Sequence, residues 1–275
     1  MTDIKVNSFE ELNKVLFEHS WQTKIKRHRT PFAFRGLSKD YSLSTTLLRL
    51  ANGESEHLKL ENNILDSFKK YATTAIDKLD NDWYWLTVAQ HYGLPTRLMD
   101  WTYSPYVALH FMTVDFEHYQ DDGVIWAIDY YKTTNFLPDE YKNLLDEREN
   151  VMFTVDTLFK IAEDLSVLDG AKTPADKPPK FPVFFEPPSI DGRVVNQFAL
   201  FSVFNDPNVF FDTWLQENGH DIPDLYRKIH VPAALKWEIR NKLDGLNINE
   251  RVLFPGLDGL SQWLKRYYSL PPDGV

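Results

Sequence analysis

Ala89-Gln90-His91-Tyr92-Gly93-Leu94-Pro95-Thr96-Arg97-Leu98-Met99-Asp100-Trp101-Thr102 is the stretch whose reading decides this fold. It gathers a Gln, a His, an Arg, an Asp and two Thr, punctuated by one Gly and one Pro. Trp83 to Tyr92 has helical character, with Asp82 as a candidate cap; Gly93 stands where a helix C-terminal glycine belongs and Pro95 follows two residues later. Ser104-Pro105 reads as an N-cap followed by a first-position proline, and Val107, Ala108, Phe111 and Met112 continue that next helix. The stretch is therefore a helix–loop–helix corner, with Thr96–Thr102 as its loop. Loops that carry such groups on a rigid scaffold are where binding and chemistry tend to sit. A buried corner whose polar groups satisfy one another is the alternative, and this stretch alone does not separate the two.

Working outward, Ser8 and Glu11 have capping-box spacing ahead of a helix over Phe9–Glu18. The basic run Lys24–Arg29 leads to Phe32 and Phe34, whose alternation predicts a short strand ending at Arg35, before Gly36. Leu47, Leu48 and Leu50 suggest a turn of helix, and Glu54–Leu79 carries the apolar spacing of a long amphipathic one. Beyond the corner, Val124–Ile128 has the composition of a buried strand. Residues 132–170 read as a polar, mostly helical insertion, and Lys172–Pro188, with six prolines, as an extended connector. Arg193–Phe204 is a long apolar strand candidate with Asn196 and Gln197 embedded. A strand near Tyr226–Val231, a helix over Pro232–Asp244 stopped by Gly245, and a last helix over about Gly259–Tyr268 complete the chain. The expectation is one α+β domain over residues 1–275, with its core at about 30–265. It would have a small mixed or antiparallel sheet, several packed helices and a helical, Pro-rich insertion at about 132–188.

The bulk numbers narrow the function classes. The 275 residues are 43% hydrophobic and 15% aromatic, enough for a substantial core. A net charge of −10 disfavours broad binding to nucleic acid or anionic membrane. The absence of cysteine removes disulfides, Cys-liganded zinc and thiol nucleophiles together. No apolar run approaches the ~20 residues of a membrane span and the N-terminus has no signal-like pattern, so a soluble, cytoplasmic protein is expected. The histidines at 19, 28, 57, 91, 110, 118, 220 and 230 include no His-Glu-x-x-His pattern, and no metal is expected. Gly-x-x-x-x-Gly-Lys-Ser/Thr, Gly-x-Gly-x-x-Gly and Gly-x-Ser-x-Gly are all absent, which disfavours the common ATP, dinucleotide and serine-hydrolase folds.

What remains is a set of polar residues next to element ends. Arg35 is costly to bury unless its five-donor fork meets carboxylates, carbonyls or phosphate. Gln197 interrupts an apolar run and needs partners. Arg97 and Asp100 flank Leu98-Met99 and would bridge each other or neighbouring elements. These four either form one satisfied buried network or converge on a cleft.

Phe34-Arg35-Gly36, Tyr41-Ser42-Leu43 and the run His91-Tyr92-Gly93-Leu94-Pro95-Thr96-Arg97-Leu98-Met99-Asp100-Trp101-Thr102, followed by Ser104-Pro105, resemble the FRG-domain family. Met99 stands where that family usually has Leu. Arg193…Gln197-Phe198 and Phe254-Pro255-Gly256-Leu257-Asp258-Gly259-Leu260 are also similar to it. More distantly, the strand-end Phe-Arg-Gly resembles the first motif of Arg-Ser-Glu-type ADP-ribosyltransferases. That resemblance implies that Arg35 binds NAD phosphates or ribose without a glycine-rich loop, a task suited to a bidentate guanidinium. Ser44-Thr45-Thr46 is similar to the hydroxyl-rich motif of those enzymes but lies closer to Arg35 than usual. Gln197, preceded by Glu186, stands nearest to the place of their catalytic Glu.

Three readings follow. The first is an NAD-using, ADP-ribosyltransferase-like effector, in the setting of a bacterial toxin or phage defence. Arg35, His91, Asp100 and Gln197 would then be catalytic, and Arg35, Tyr92, Thr96 and Arg97 would hold NAD. The second is a nuclease-like effector, with Arg27, Arg29, Arg35 and Arg97 on phosphates and Trp83, Trp85 and Trp101 as stacking platforms. The third is a non-enzymatic interaction module, in which Arg97 and Asp100 are buried and mutually satisfied.

Overall fold

The computed structural model describes residues 2–51, 57–72, 81–147, 152–169 and 179–270. In chain order the strands are β1 (Thr2–Lys5), β2 (Trp21–Gln22), β3 (Arg27–His28), β4 (Phe32–Leu37), β5 (Met99–Thr102), β6 (Gly123–Asp129), β7 (Phe153–Thr154), β8 (Pro182–Glu186), β9 (Ala199–Phe204) and β10 (Tyr226–Val231). β2 and β3 pair as a small ribbon, and the rest form one mixed sheet in the order β1-β10-β6-β4-β5-β9-β8-β7. The two outermost pairings, β1 with β10 and β7 with β8, are parallel, and the pairings between them are antiparallel.

The helices are α1 (Phe9–Phe17), α2 (Thr46–Leu50), α3 (His57–Ala72), α4 (Asp82–His91), α5 (Pro105–Thr113), α6 (Tyr130–Thr133), α7 (Asp139–Glu147), α8 (Val155–Ile161), α9 (Leu165–Leu168), α10 (Gly192–Asn196), α11 (Phe211–Asn218), α12 (Lys236–Gly245), α13 (Glu250–Leu253) and α14 (Leu257–Tyr267). The α+β expectation holds. The 132–170 segment supplies α6 to α9 among its described residues. The predicted helix over 54–79 is seen as α3, while 54–56 and 73–79 lie outside the described residues, as does 172–178 of the connector.

Both faces of the sheet are covered, which is why β6 is buried at every position. Period-two alternation sends Phe32 and Phe34 of β4 to one face, against Leu12 and Leu16 of α1, Leu109 and Met112 of α5 and Leu243 of α12. Ala33 turns to the other face, with Trp126, Leu200, Phe211 and Trp214. Arg35 follows Ala33 by two residues and shares its side. At the far end of the sheet, Val183, Phe185 and Phe201 meet Trp83 and Leu86 of α4 and the insertion helices. Trp83 is fully buried and its indole N–H is satisfied by the Ala162 carbonyl at 2.7 Å.

Gly36 is set by a close approach. A Cβ there would lie 1.8 Å from the Ala108 carbonyl oxygen of α5, so the helix can cross β4 only over a glycine. The Ser104 hydroxyl caps α5 through the Val107 N–H, with Pro105 in its first turn, as the spacing predicts.

Several expectations change. Met99–Thr102 is a strand, not a loop, because it fills the gap between β4 and β9. Pro182–Glu186 is a strand inside the expected connector; only its first residue is proline, where a missing N–H is tolerated. Arg193–Phe204 is not one strand. The Asp191 carboxylate caps the N–H groups of Arg193 and Val194, giving α10; Phe198 then takes φ +48°, and the strand starts at Ala199. A short apolar run does not by itself distinguish helix from strand, and the cap decided. Asn81, not Asp82, caps α4.

On the α5 face lies a buried charge network. The guanidinium of Arg240 (α12) donates to His110 Nδ1 at 2.8 Å, while Arg266 (α14) clamps Glu250 and Asp244. Burial, and then the charges of Arg240 and Arg266, hold the His110 pKa well below its ordinary value.

Two outcomes follow. Gly36→Ala should cost about 3 kcal/mol in chemical denaturation, since backbone must move. Below pH ~6.5 the unfolded chain protonates His110 and the folded chain does not, so stability falls with pH. His110→Gln keeps an acceptor for Arg240 and should flatten that fall by up to about 1.4 kcal/mol per pH unit. Equal slopes for the two proteins would contradict the assignment.

Candidate functional site

Where β4 and β5 run out beside α4 and α10, the surface opens into a cleft of about 490 Å³. Arg35, Gln90, Asp100, Trp101, Arg193 and Gln197 are on its walls. A second lobe of about 430 Å³ adjoins it, lined by Arg35, Leu37, Tyr41, Ser42, Ser44 and Arg49. Arg35, Leu37 and Tyr41 belong to both lobes.

Arg35 is the hinge of this site. Its Nη1 donates to the Asp100 backbone carbonyl at 2.6 Å and stands 4.0 Å from the Asp100 carboxylate. Burial lowers its pKa, the Asp100 charge opposes this and the neighbouring Arg49 charge adds to it. Such a site favours an added anion. Arg49, on the wall of the second lobe, is held by Nη1 donating to the Ser44 carbonyl at 2.6 Å and the Ser44 hydroxyl at 3.2 Å. Among the described residues it forms no ion pair with a carboxylate. Two guanidinium groups thus line one lobe, with the half-exposed Asp100 shared by one of them (58% exposed).

A hydrogen-bonded chain orients Asp100. The Gln90 amide donates to its carboxylate at 2.7 Å and accepts from the Thr96 hydroxyl at 2.5 Å. The Thr96 N–H donates in turn to the Thr46 hydroxyl at 3.0 Å, tying the corner to α2. Gln90 can do both because an amide carries a donor and an acceptor.

The sequence-predicted residues separate into two groups. Arg35, Asp100 and Gln197 meet in the cleft. Gln197 sits at the C-terminus of α10; its side-chain amide donates to the Leu253 carbonyl at 2.9 Å and its backbone carbonyl accepts from the Thr102 hydroxyl at 2.7 Å. His91, Tyr92, Thr96 and Arg97 are not on the cleft walls. His91 Nε2 is 2.9 Å from the Asp191 carboxylate, so this ring anchors the cap of α10. Tyr92 packs edge-on to His91 and faces solvent (65% exposed). Thr96 is buried behind Gln90.

Arg97 does not pair with Asp100. Its side chain is 1% exposed and is held by Glu61 of α3 (Nη2 to Oε2 2.5 Å, Nε to Oε2 2.7 Å) and by Asp169 after α9. Burial alone would lower the Arg97 pKa, but the two carboxylates more than reverse it, while burial pushes the Asp169 carboxyl up. Glu186, the other candidate anion, accepts from the Tyr103 hydroxyl at 2.9 Å, away from the cleft.

Gln90, Arg49, Arg193 and Tyr41 are on the walls without having been assigned there. Gln90 and Tyr41 lie within the motif segments, so their neighbourhood was visible. For Arg49, one basic residue in a short helix, no local pattern marks it. Arg193 reaches the wall from α10, donating to the His91 carbonyl at 3.3 Å and stacking 4.9 Å from the Phe254 ring.

Residues 30–121 match the family model of the FRG domain. That segment, about a third of the chain, is what is similar to the FRG domain. Neither the curated proteins nor the solved structures gave a match. The FRG match covers Arg35, Arg49, Gln90 and Asp100, whereas Arg193 and Gln197 come from beyond it.

The site and its frame should respond differently to substitution. Glu61→Gln leaves part of a buried guanidinium unpaired and should cost about 3 kcal/mol. Asp100→Asn, at a half-exposed carboxylate, should stay within about 1 kcal/mol of the parent. Denaturant midpoints measure both; similar losses for the two variants would mean that Asp100 too belongs to the frame.

Proposed function

We propose that the FRG domain binds NAD across the two lobes and transfers its ADP-ribosyl group to an acceptor, as a toxin-like or phage-defence effector would. The observation that carries this reading is the convergence of Arg35 and Arg49 on one lobe that opens directly into a cleft with an exposed carboxylate. Paired guanidinium groups are matched to a pyrophosphate, whose oxygens accept bidentate, charge-assisted hydrogen bonds. No glycine-rich loop is then needed.

In this reaction the bond between ribose C1′ and nicotinamide breaks and nicotinamide leaves with the electron pair as a neutral base. Positive charge grows on C1′ as the bond weakens. Asp100, oriented by Gln90, supplies the compensating negative charge. The acceptor forms the new bond to C1′ and gives up a proton. Gln197 serves the wall, with its amide committed to Leu253. A corner that was purely an interaction surface would be expected to bury Asp100 against Arg97; the exposed Asp100 supports the enzymatic reading instead.

Calorimetry with NAD and with ADP-ribose, alongside nicotinamide release, tests the proposal. Arg35→Ala and Arg49→Ala should each weaken both ligands about 10- to 100-fold, the size of a lost charge-assisted bond, with the fold retained. A well-folded parent protein giving neither binding heat nor nicotinamide would sink it.

A further inference from the structure

At the junction of the two lobes stands a hydroxyl with its own proton-transfer partners. Tyr41 lines both lobes and is 42% exposed. Its hydroxyl is 2.7 Å from His118 Nε2, and His118 Nδ1 is 2.8 Å from the Asp121 carboxylate. A carboxylate only accepts, so Nδ1 carries the proton facing Asp121. In the neutral ring Nε2 is then a bare acceptor, and Tyr41 must be the donor to it. This is the order of groups that activates a hydroxyl elsewhere in chemistry: an oriented imidazole behind the O–H and an anion behind the imidazole.

The surroundings hold this order in place. The Tyr41 loop and the His118 turn come from separate parts of the chain. Lys236 of α12, fully buried, donates to the carbonyls of both Ser38 and His118, at 2.6 and 2.5 Å. The Lys39 ammonium lies 5.2 Å from the Tyr41 ring centroid, where it stabilises electron density gathering on the phenol. Asp115, also on the cleft wall, has its carboxylate 3.9 Å from Nε2 and stabilises a protonated ring. None of these groups takes part in the framework around Arg97.

We infer that Tyr41 is the catalytic base of the cleft, with His118 and Asp121 as the positioning residues that activate it. As part of the transfer reading above, the acceptor's X–H proton passes to the Tyr41 oxygen while the Tyr41 proton passes to His118 Nε2. The X–C1′ bond forms with the electrons freed from X–H. The imidazolium is held by Asp121 and returns its proton to solvent, to which His118 is partly open.

An arylsulfonyl fluoride reads the activated hydroxyl without NAD. The phenol oxygen forms a bond to sulfur, fluoride leaves with its electron pair, and the phenol proton goes to His118. Site-resolved mass spectrometry should find Tyr41 modified faster than the more exposed Tyr268. His118→Ala and Asp121→Asn should each slow Tyr41 at least about tenfold and leave Tyr268 unchanged. Tyr41→Phe should bind NAD as the parent does but lose about 100-fold or more in transfer kcat. Tyr41 labelling no faster than Tyr268, or unchanged by both variants, overturns the inference. Full transfer by Tyr41→Phe does so as well. Selective, His118-dependent labelling in a protein that does not process NAD would sustain the activated tyrosine and remove the transfer reading alone.

Discussion

The corner of this molecule depends on a buried arginine. Arg97 is almost fully removed from water, and a guanidinium so placed must be neutralised and have its donors filled. Glu61 and Asp169 do both. The three residues come from just before the Met99–Thr102 strand, from the helix His57–Ala72 and from the end of the insertion. Satisfying one charge therefore locks three distant parts of the chain at one point. Thr96, just before Arg97, is fastened to α2 and to Gln90 by the same logic of filled donors. The strand that leaves this anchor alternates: Met99 and Trp101 enter the core and Asp100 turns outward. The frame is thus what gives the exposed carboxylate a fixed address.

The second constraint is steric. Because α5 lies on Gly36 with no room for a Cβ, the end of β4 is held close beneath the helix. Arg35, one residue earlier and on the opposite face, is committed to the cleft. Phe34-Arg35-Gly36 is in this sense a division of labour: an aromatic for the core, a cation for the site and a gap for the helix. The cleft it serves is cationic at the lobe shared by Arg35 and Arg49, on a protein whose net charge is −10. Charge of the whole chain says little about a site that two arginines can define locally.

The motif segments were legible because they carry local chemistry. A glycine at φ +84° ends α4 at Gly93, and a Ser-Pro pair starts α5, where their residue types demand. Arg35 and Asp100 were recognisable as polar groups at element ends. What stayed hidden was direction. His91, Arg97 and Asp100 look equally suited to a ligand when written in a row. Asp191, a hundred residues away, holds His91, Glu61 and Asp169 hold Arg97, and strand alternation turns Asp100 to the cleft.

By itself the sequence determined the helix boundaries around the corner, the α+β class, the buried central strand and the identity of the motif residues. Those follow from capping, periodicity and composition, which act over a few residues. Tertiary structure alone decided that Met99–Thr102 is a strand and that Arg49, Gln90 and Tyr41 stand beside Arg35. The strand depends on β4 and β9 and the Tyr41 hydroxyl on His118, partners far along the chain, whereas the Ser44 and Thr96 bonds join near neighbours that packing turns toward Arg35. Hydrogen bonds and ion pairs of that kind are set by what packing brings within ~3 Å, a distance no local pattern encodes.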